Sequence, residues 1–123
     1  MNIYTGYFGN VREYNGKHLV SVCLYQPRGW EAMDNYKPLN PTSEILKLKY
    51  KPDEYRIEYQ KILDKVSYED FIEYLKEKSE GKYVVLMCYE TPDQFCHRHM
   101  IADWINSFGE YKVEEFDSQY QLF

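Results

Sequence analysis

One apolar run, from Tyr83 to Met87, constrains the fold more than any other stretch of this sequence. It follows Gly81, which is typical of a helix end, and it is short and β-branched enough to predict a buried strand. Polar side chains between Cys88 and His99 come next, where a new helix is predicted to begin. Because open α/β sheets bind ligands beyond the carboxyl ends of their strands, this segment is the first candidate for a functional site.

The rest of the sequence alternates between strand-like and helix-like patterns. Apolar, β-branched runs predict strands, whereas apolar residues at the helical period between capping residues predict helices. We therefore predict a single-domain α/β fold with a mostly parallel sheet of about four or more strands flanked by helices. The predicted strands cover residues 2–8, 18–25, 83–87 and 111–115, and the predicted helices cover residues 42–48, 52–66, 68–80 and 96–108.

Length, charge and cysteine usage narrow the classes of function. The 123 residues predict one domain, 1–123, with a short C-terminal tail over 117–123. A net charge of −5 argues against a broad surface for nucleic acid or anionic membranes, and a local basic pocket remains open. No apolar run approaches the roughly 20 residues that span a bilayer, so we predict no membrane contact. Three cysteines, an odd number, and a start without signal-peptide features favour the cytoplasm.

A stretch over residues 26–41 follows the second predicted strand and has no regular period. Loops of this length in compact domains are usually functional or disordered. Arg28 and Trp30 come directly after the strand end, and we interpret them as ligand contacts on a loop that covers the site. The simpler alternative is a surface excursion fixed in place by Trp30.

Five side chains after the central strand carry useful chemistry. A thiol at a helix amino terminus, such as Cys96, is favoured as the thiolate by the helix dipole, and Arg98 adds to this effect. Arg98 and the free backbone donors of the first turn suit a phosphate or carboxylate. Glu90 is a candidate general base, or a partner that orients His97 or Arg98. We assign catalytic roles to Cys88, Glu90, Cys96, His97 and Arg98.

Structural alternatives stand beside these roles. A cysteine at a strand end, such as Cys88, is more often a small buried apolar residue than a nucleophile. His97 could serve only to cap or pack the helix. Arg98 could serve only as an ion-pair partner of Glu90 that ties the helix to the strand.

The same segment also contains candidate ligands for a metal ion. Cys88, Cys96, His97 and His99 offer enough soft ligands for zinc. However, the spacing of eight between the cysteines matches no standard zinc pattern, and the two histidines point apart on a helix. We therefore predict no metal-binding residues and assign no cofactor.

The motif Cys88-x-Glu90, followed by a short acidic turn and Cys96-His97-Arg98, resembles the signature of the family known as domain of unknown function 488. The likeness is to its smaller bacterial members and covers nearly the whole chain. Other matching parts are the opening strand Ile3-Tyr4-Thr5-Gly6, the segment Leu24-Tyr25-Gln26-Pro27-Arg28-Gly29, and the pair Tyr55 and Tyr59.

The resemblance implies a fold and a site rather than a reaction, because the family has no settled biochemical activity. Many members carry Asp-x-Arg at the end of the second strand, where this chain has Ser21-Val22-Cys23. If those residues contact the ligand, Cys23 and Arg28 are the candidate replacements here. With the matching residues added, the predicted substrate-binding set is Tyr4, Thr5, Cys23, Arg28, Trp30, Tyr55 and Tyr59.

These observations predict a protein that binds or acts on an anionic small molecule, a nucleotide or a nucleic-acid base. The alternative is a non-catalytic binding or adaptor module linked to DNA metabolism, and whether the chain is an enzyme is left open. The last five residues, Gln119 to Phe123, are similar to the pentapeptide with which many bacterial replication and repair proteins dock on the sliding clamp. An extended segment could place Leu122 and Phe123 in an apolar pocket of the clamp, with Gln119 hydrogen-bonded at its rim.

Overall fold

A computed structural model describes residues 1–90 and 95–116 of the chain. In these residues five strands form one sheet in which every neighbouring pair is parallel, with helices packed against it, so the predicted α/β fold is confirmed. The order across the sheet is β3-β2-β4-β1-β5. The strands are β1 (Asn2–Tyr7), β2 (His18–Ser21), β3 (Asp34–Asn35), β4 (Tyr83–Cys88) and β5 (Glu114–Glu115), and the helices are α1 (Ser43–Leu46), α2 (Pro52–Leu63), α3 (Tyr68–Ser79) and α4 (His97–Ser107).

The central position belongs to β4, which pairs with β1 on one side and β2 on the other. Its apolar side chains alternate between the two faces, and Val84 to Met87 are all fully buried. Val84 and Leu86 join the core under the helices, whereas Val85 and Met87 join a second cluster on the opposite face. Burial on both faces explains why this strand is apolar without a polar period.

Capping residues set the helix boundaries where the sequence predicted them. Thr42 Oγ1 accepts a hydrogen bond from Ile45 N at 3.2 Å, and Ser67 Oγ accepts one from Asp70 N at 3.2 Å. The chain leaves α3 through a left-handed turn at Glu80 and Gly81, with φ of 53° and 73°. The hydroxyls of Thr42 and Ser67 each satisfy a backbone N–H that the first helical turn leaves without a partner.

The face of the sheet away from the helices is covered by a 3-10 segment, Phe8–Tyr14. The Tyr7 amide donates a hydrogen bond to Tyr14 Oη at 3.0 Å, which brings the tyrosine ring over Gly6. A Cβ added at Gly6 would lie 2.5 Å from Tyr14 Oη and 2.8 Å from Val85 Cγ1. Only glycine leaves room for this close approach of backbone and ring.

Three predicted elements differ from the structure. The last predicted strand, 111–115, is reduced to the two residues of β5. The second strand ends at Ser21 instead of residue 25, because the Ser21 hydroxyl accepts the Cys23 amide proton at 3.2 Å and turns the chain out of the sheet. The aperiodic stretch 26–41 contains β3 and a 3-10 turn, Lys37–Leu39. Within the residues the structure covers, no helix combines the length and apolar character that a membrane span requires.

Candidate functional site

Three buried cysteines meet where β2 and β4 end. Cys88 is the last residue of β4, Cys96 is the residue that caps the start of α4, and Cys23 follows β2. All three are free thiols and form one cluster. Cys23 Sγ donates to the Met87 carbonyl at 3.4 Å, which leaves the other two sulfurs for the remaining side chains of the site.

His97, the first residue of α4, is buried, and a backbone carbonyl fixes the orientation of its ring. Its Nε2 lies 2.6 Å from the Val22 carbonyl oxygen. Because a carbonyl only accepts, the proton is on Nε2, and in the neutral imidazole Nδ1 then carries a lone pair. That Nδ1 lies 3.8 Å from Cys88 Sγ and 3.8 Å from Cys96 Sγ. The ring of Tyr59 packs against the imidazole with 5.2 Å between centroids.

Glu90 lies two residues beyond β4 and faces the same cluster. Cys88 Sγ donates to Glu90 Oε2 at 3.2 Å. Burial opposes ionisation of this carboxyl, but hydrogen bonds from the Cys88 and Cys96 thiols outweigh it and lower the pKa of Glu90. Glu90 is therefore held as a carboxylate beside the two sulfurs.

Cys96 does not have the lowered thiol pKa that its position at a helix amino terminus predicted, and Cys88 beside it is affected in the same direction. Burial raises the pKa of Cys88, and the neighbouring Cys23 adds to this effect. Burial likewise raises the pKa of Cys96 well above its usual range. Desolvation of a thiolate in this apolar cluster outweighs the helix dipole, so these residues favour protonated thiols in the absence of a cation.

Arg98 lies away from the thiol cluster and is fully buried. Its Nε and Nη2 donate to the two carboxylate oxygens of Glu115 at 3.0 and 3.1 Å. The Thr5 hydroxyl donates to Glu115 Oε1 at 2.7 Å. Glu115 on β5 therefore takes the place of Glu90, the partner in the structural alternative, and the bidentate pair ties the first turn of α4 to the sheet edge.

A cavity of about 430 Å³ opens beyond the carboxyl ends of β2 and β4. Half of the twelve predicted site residues line it, and they combine thiols, a carboxylate, an imidazole and a phenol. These six are Cys23, Tyr55, Cys88, Glu90, Cys96 and His97. The fold therefore brings together most of the chemistry predicted from the motif and adds Cys23 and Tyr55 from distant parts of the sequence.

The other predicted residues lie outside this cavity. Tyr4 packs on Phe116 at 5.3 Å between centroids, on the face away from the helices. Tyr59 lies beneath the site, where its hydroxyl donates to the Leu39 carbonyl at 2.6 Å. Arg28 is exposed, and Trp30 packs 6.4 Å from the ring of Phe8. Thr5 and Arg98 belong to the Glu115 network, as described above.

Sequence reasoning missed several residues that line the cavity. Lys47 and Lys49 follow α1 and are exposed at its edge, and no periodic or motif signal marks them. Tyr89 and Phe95 add aromatic surface. Their position inside the Cys88–Cys96 segment is the signal that could have identified them. The remaining lining residues are Leu24, Tyr25, Pro41 and Leu46.

Two predictions fall on residues outside those the structure describes. The predicted turn at Pro92 and Asp93 lies within 91–94, and the clamp-like peptide lies within 117–123. Both remain predictions from the sequence.

A parallel sheet with a cavity beyond the ends of its central strands defines an α/β protein whose candidate site lies at the usual place for this architecture. The chain belongs to the DUF488-N3a family, described as the active DUF488-N3 subclade, whose model matches residues 3–109. This match confirms the resemblance carried by the Cys88 to Arg98 motif. Neither the curated proteins nor the solved structures gave a match to the chain.

Proposed function

We propose that this protein is an enzyme that acts on a nucleotide or a nucleic-acid base held in the cavity. The observation that carries the proposal is the convergence of Glu90, His97 and the thiols of Cys88 and Cys96 on one side of that cavity. A carboxylate beside a buried imidazole and thiols can exchange protons with a bound substrate. Convergent polar groups in an apolar pocket are the usual arrangement of an active site.

The walls of the cavity support an aromatic substrate with a phosphate. Its volume of about 430 Å³ falls in the range of small-molecule sites. Tyr55, Tyr89 and Phe95 offer ring faces and edges to a flat base, and Tyr55 and Phe95 are 5.0 Å apart between centroids. Lys47 and Lys49 supply two ammonium groups at the edge, where an anionic tail of the substrate would lie.

The description of the family also favours catalysis. It names the subclade as active, which suits an enzyme better than a binding module. An overall charge of −5 makes a small anionic substrate recognised by a local pair of lysines more plausible than an extended nucleic-acid surface.

Replacing Glu90 with glutamine tests the proposal directly. The wild-type protein should convert at least one member of a panel of bases, nucleosides and nucleotides, followed by liquid chromatography and mass spectrometry. Loss of the carboxylate should lower kcat by about 10²–10⁴-fold, since proton transfer by a positioned side chain contributes this much. Glu73→Gln, an exposed change on α3, is the matched control and should leave kcat unchanged.

Two outcomes separate an enzyme from a binding module. Equal turnover by Glu90→Gln and Glu73→Gln would remove Glu90 from the reaction. Saturable binding of a nucleotide by the wild-type protein, with no conversion over the whole panel, would favour the non-catalytic alternative.

The two lysines make a separate prediction about substrate recognition. Lys47→Ala and Lys49→Ala should each weaken binding of a nucleoside monophosphate roughly fivefold to tenfold, because each removes an ammonium group from the phosphate. The same changes should leave binding of the uncharged nucleoside nearly unaltered. Isothermal titration calorimetry measures both affinities, and Lys65→Ala, an exposed change just after the end of α2, is the control. Equal losses for nucleoside and nucleotide would contradict a phosphate at this edge.

A further inference from the structure

The orientation of His97 prepares one nitrogen for a ligand. The Val22 carbonyl fixes the proton on Nε2 at 2.6 Å, so the Nδ1 lone pair faces the sulfurs of Cys88 and Cys96. A histidine that donates its other ring proton to a backbone carbonyl is the common arrangement of a metal-binding imidazole. The arrangement fixes both the tautomer and the direction of the ring.

The distances between the three side chains match tetrahedral coordination. Bonds of about 2.3 Å to sulfur and about 2.0–2.1 Å to nitrogen place each sulfur about 3.6 Å from the nitrogen. In the structure Nδ1 lies 3.8 Å from each of the two sulfurs. All three atoms lie within 4.8 Å of one another. An ion would therefore need only a small inward movement of side chains that are already buried.

Rigid elements supply these three ligand atoms. Cys88 ends the central strand, and Cys96 and His97 begin α4, whose first turn is tied to β5 by the Arg98–Glu115 pair. Two thiolates and a neutral imidazole balance the charge of a divalent cation, which suits a buried position. Soft sulfur and imidazole ligands select zinc and related transition metals over magnesium or calcium.

We propose that Cys88, Cys96 and His97 bind one divalent transition-metal ion of the zinc type, with the fourth coordination position open to the cavity. Three protein ligands and an open position are typical of catalytic zinc, whereas structural zinc has four protein ligands. Glu90 Oε2 lies 3.2 Å from Cys88 Sγ but outside the group of mutually close ligand atoms. It is therefore placed to take a proton from a water or substrate group at the open position.

Titration of the reduced, chelator-free protein with Co²⁺ tests the site. One Co²⁺ per chain should bind and give a thiolate-to-cobalt charge-transfer band that Zn²⁺ abolishes. Cys88→Ala and Cys96→Ala should each weaken Co²⁺ binding by at least about 10–100-fold. Loss of a residue that only hydrogen-bonds to a metal ligand typically weakens metal binding by this much. Cys23→Ala is the matched control, because Cys23 is buried in the same cluster with its sulfur directed to the Met87 carbonyl.

Several results would overturn the site. The first is the absence of a charge-transfer band in the reduced wild-type protein. The second is a loss of binding in Cys23→Ala as large as in Cys88→Ala and Cys96→Ala. The third is a Cys88–Cys96 disulfide that excludes the ion. If an alanine variant fails to fold, X-ray absorption of the zinc-loaded wild-type protein decides. Two sulfur ligands and one imidazole support the proposal, and a shell of oxygen and nitrogen alone contradicts it.

A catalytic role for the ion rests on the proposed function, whereas the site itself does not. Co²⁺ binding without turnover of any nucleotide supports the site and contradicts the proposed function. Turnover by a reduced protein that binds no Co²⁺ contradicts the site alone.

Discussion

Glu115→Gln should lower the free energy of unfolding by about 3–5 kcal/mol, because it leaves the buried guanidinium of Arg98 without its counter-charge. Arg98 is fully buried and donates two hydrogen bonds to Glu115, at 3.0 and 3.1 Å. The Arg98 side chain is 0% exposed, whereas that of Glu115 is 21% exposed, so the cost arises from the guanidinium. Urea denaturation followed by circular dichroism measures the change.

The neighbouring residue provides the control for this prediction. Glu114 pairs with Lys112 at 3.1 Å, and both side chains are exposed, at 62% and 84%. Glu114→Gln should therefore cost less than about 1 kcal/mol. A double change, Arg98→Met with Glu115→Leu, should cost less than Glu115→Gln alone, since no charge is left buried. Equal losses for the two glutamine variants would show that the buried pair contributes no more than a surface pair.

Gly6→Ala should destabilise the protein by about 1–3 kcal/mol through overpacking. The added methyl group would lie 2.5 Å from Tyr14 Oη and 2.8 Å from Val85 Cγ1, in the middle of the sheet. Either the tyrosine ring or β1 must move, and the Tyr7–Tyr14 hydrogen bond at 3.0 Å is lost if the ring moves. The midpoint of thermal unfolding should fall accordingly.

Gly9→Ala is the matched control for this position. A Cβ at Gly9 approaches only the ring of Tyr7, at 3.2 Å, so that variant should lose less stability. In a Tyr14→Ala background the cost of Gly6→Ala should shrink, because part of the obstruction is gone. An unchanged cost in that background would exclude Tyr14 as its cause.

The sequence predicted most of the architecture because the strongest patterns coincide with full burial or with capping. The apolar run in β4 is compatible only with a buried strand, and the helical period after Ser67 only with a helix. The predicted end of a strand was wrong where a side chain bonds to the backbone. At Ser21 the hydroxyl accepts a hydrogen bond from the Cys23 amide, and the chain turns away from the sheet. The 3-10 segment Phe8–Tyr14 was not predicted, since short 3-10 structure has no periodic signature.

The candidate site was predictable to the extent that it is local. Cys88, Glu90, Cys96 and His97 are close in the sequence and remain close in the fold. The partner of Arg98 comes from β5, and a tight pair of this kind depends on which strand lies beside β1. The thiol pKa direction also required the structure, because the helix dipole is visible in sequence whereas the depth of burial is not.

The Val22 carbonyl has an evolutionary consequence. The group that sets the direction of His97 belongs to the main chain, so every residue type at position 22 would carry it. A point mutation cannot delete this acceptor, and an alanine scan at position 22 would report only the packing lost by a buried valine. The orientation of the His97 imidazole therefore depends on the backbone conformation at position 22 and not on the side chain there. Relatives can carry other residues at position 22 and keep the same orientation of the imidazole.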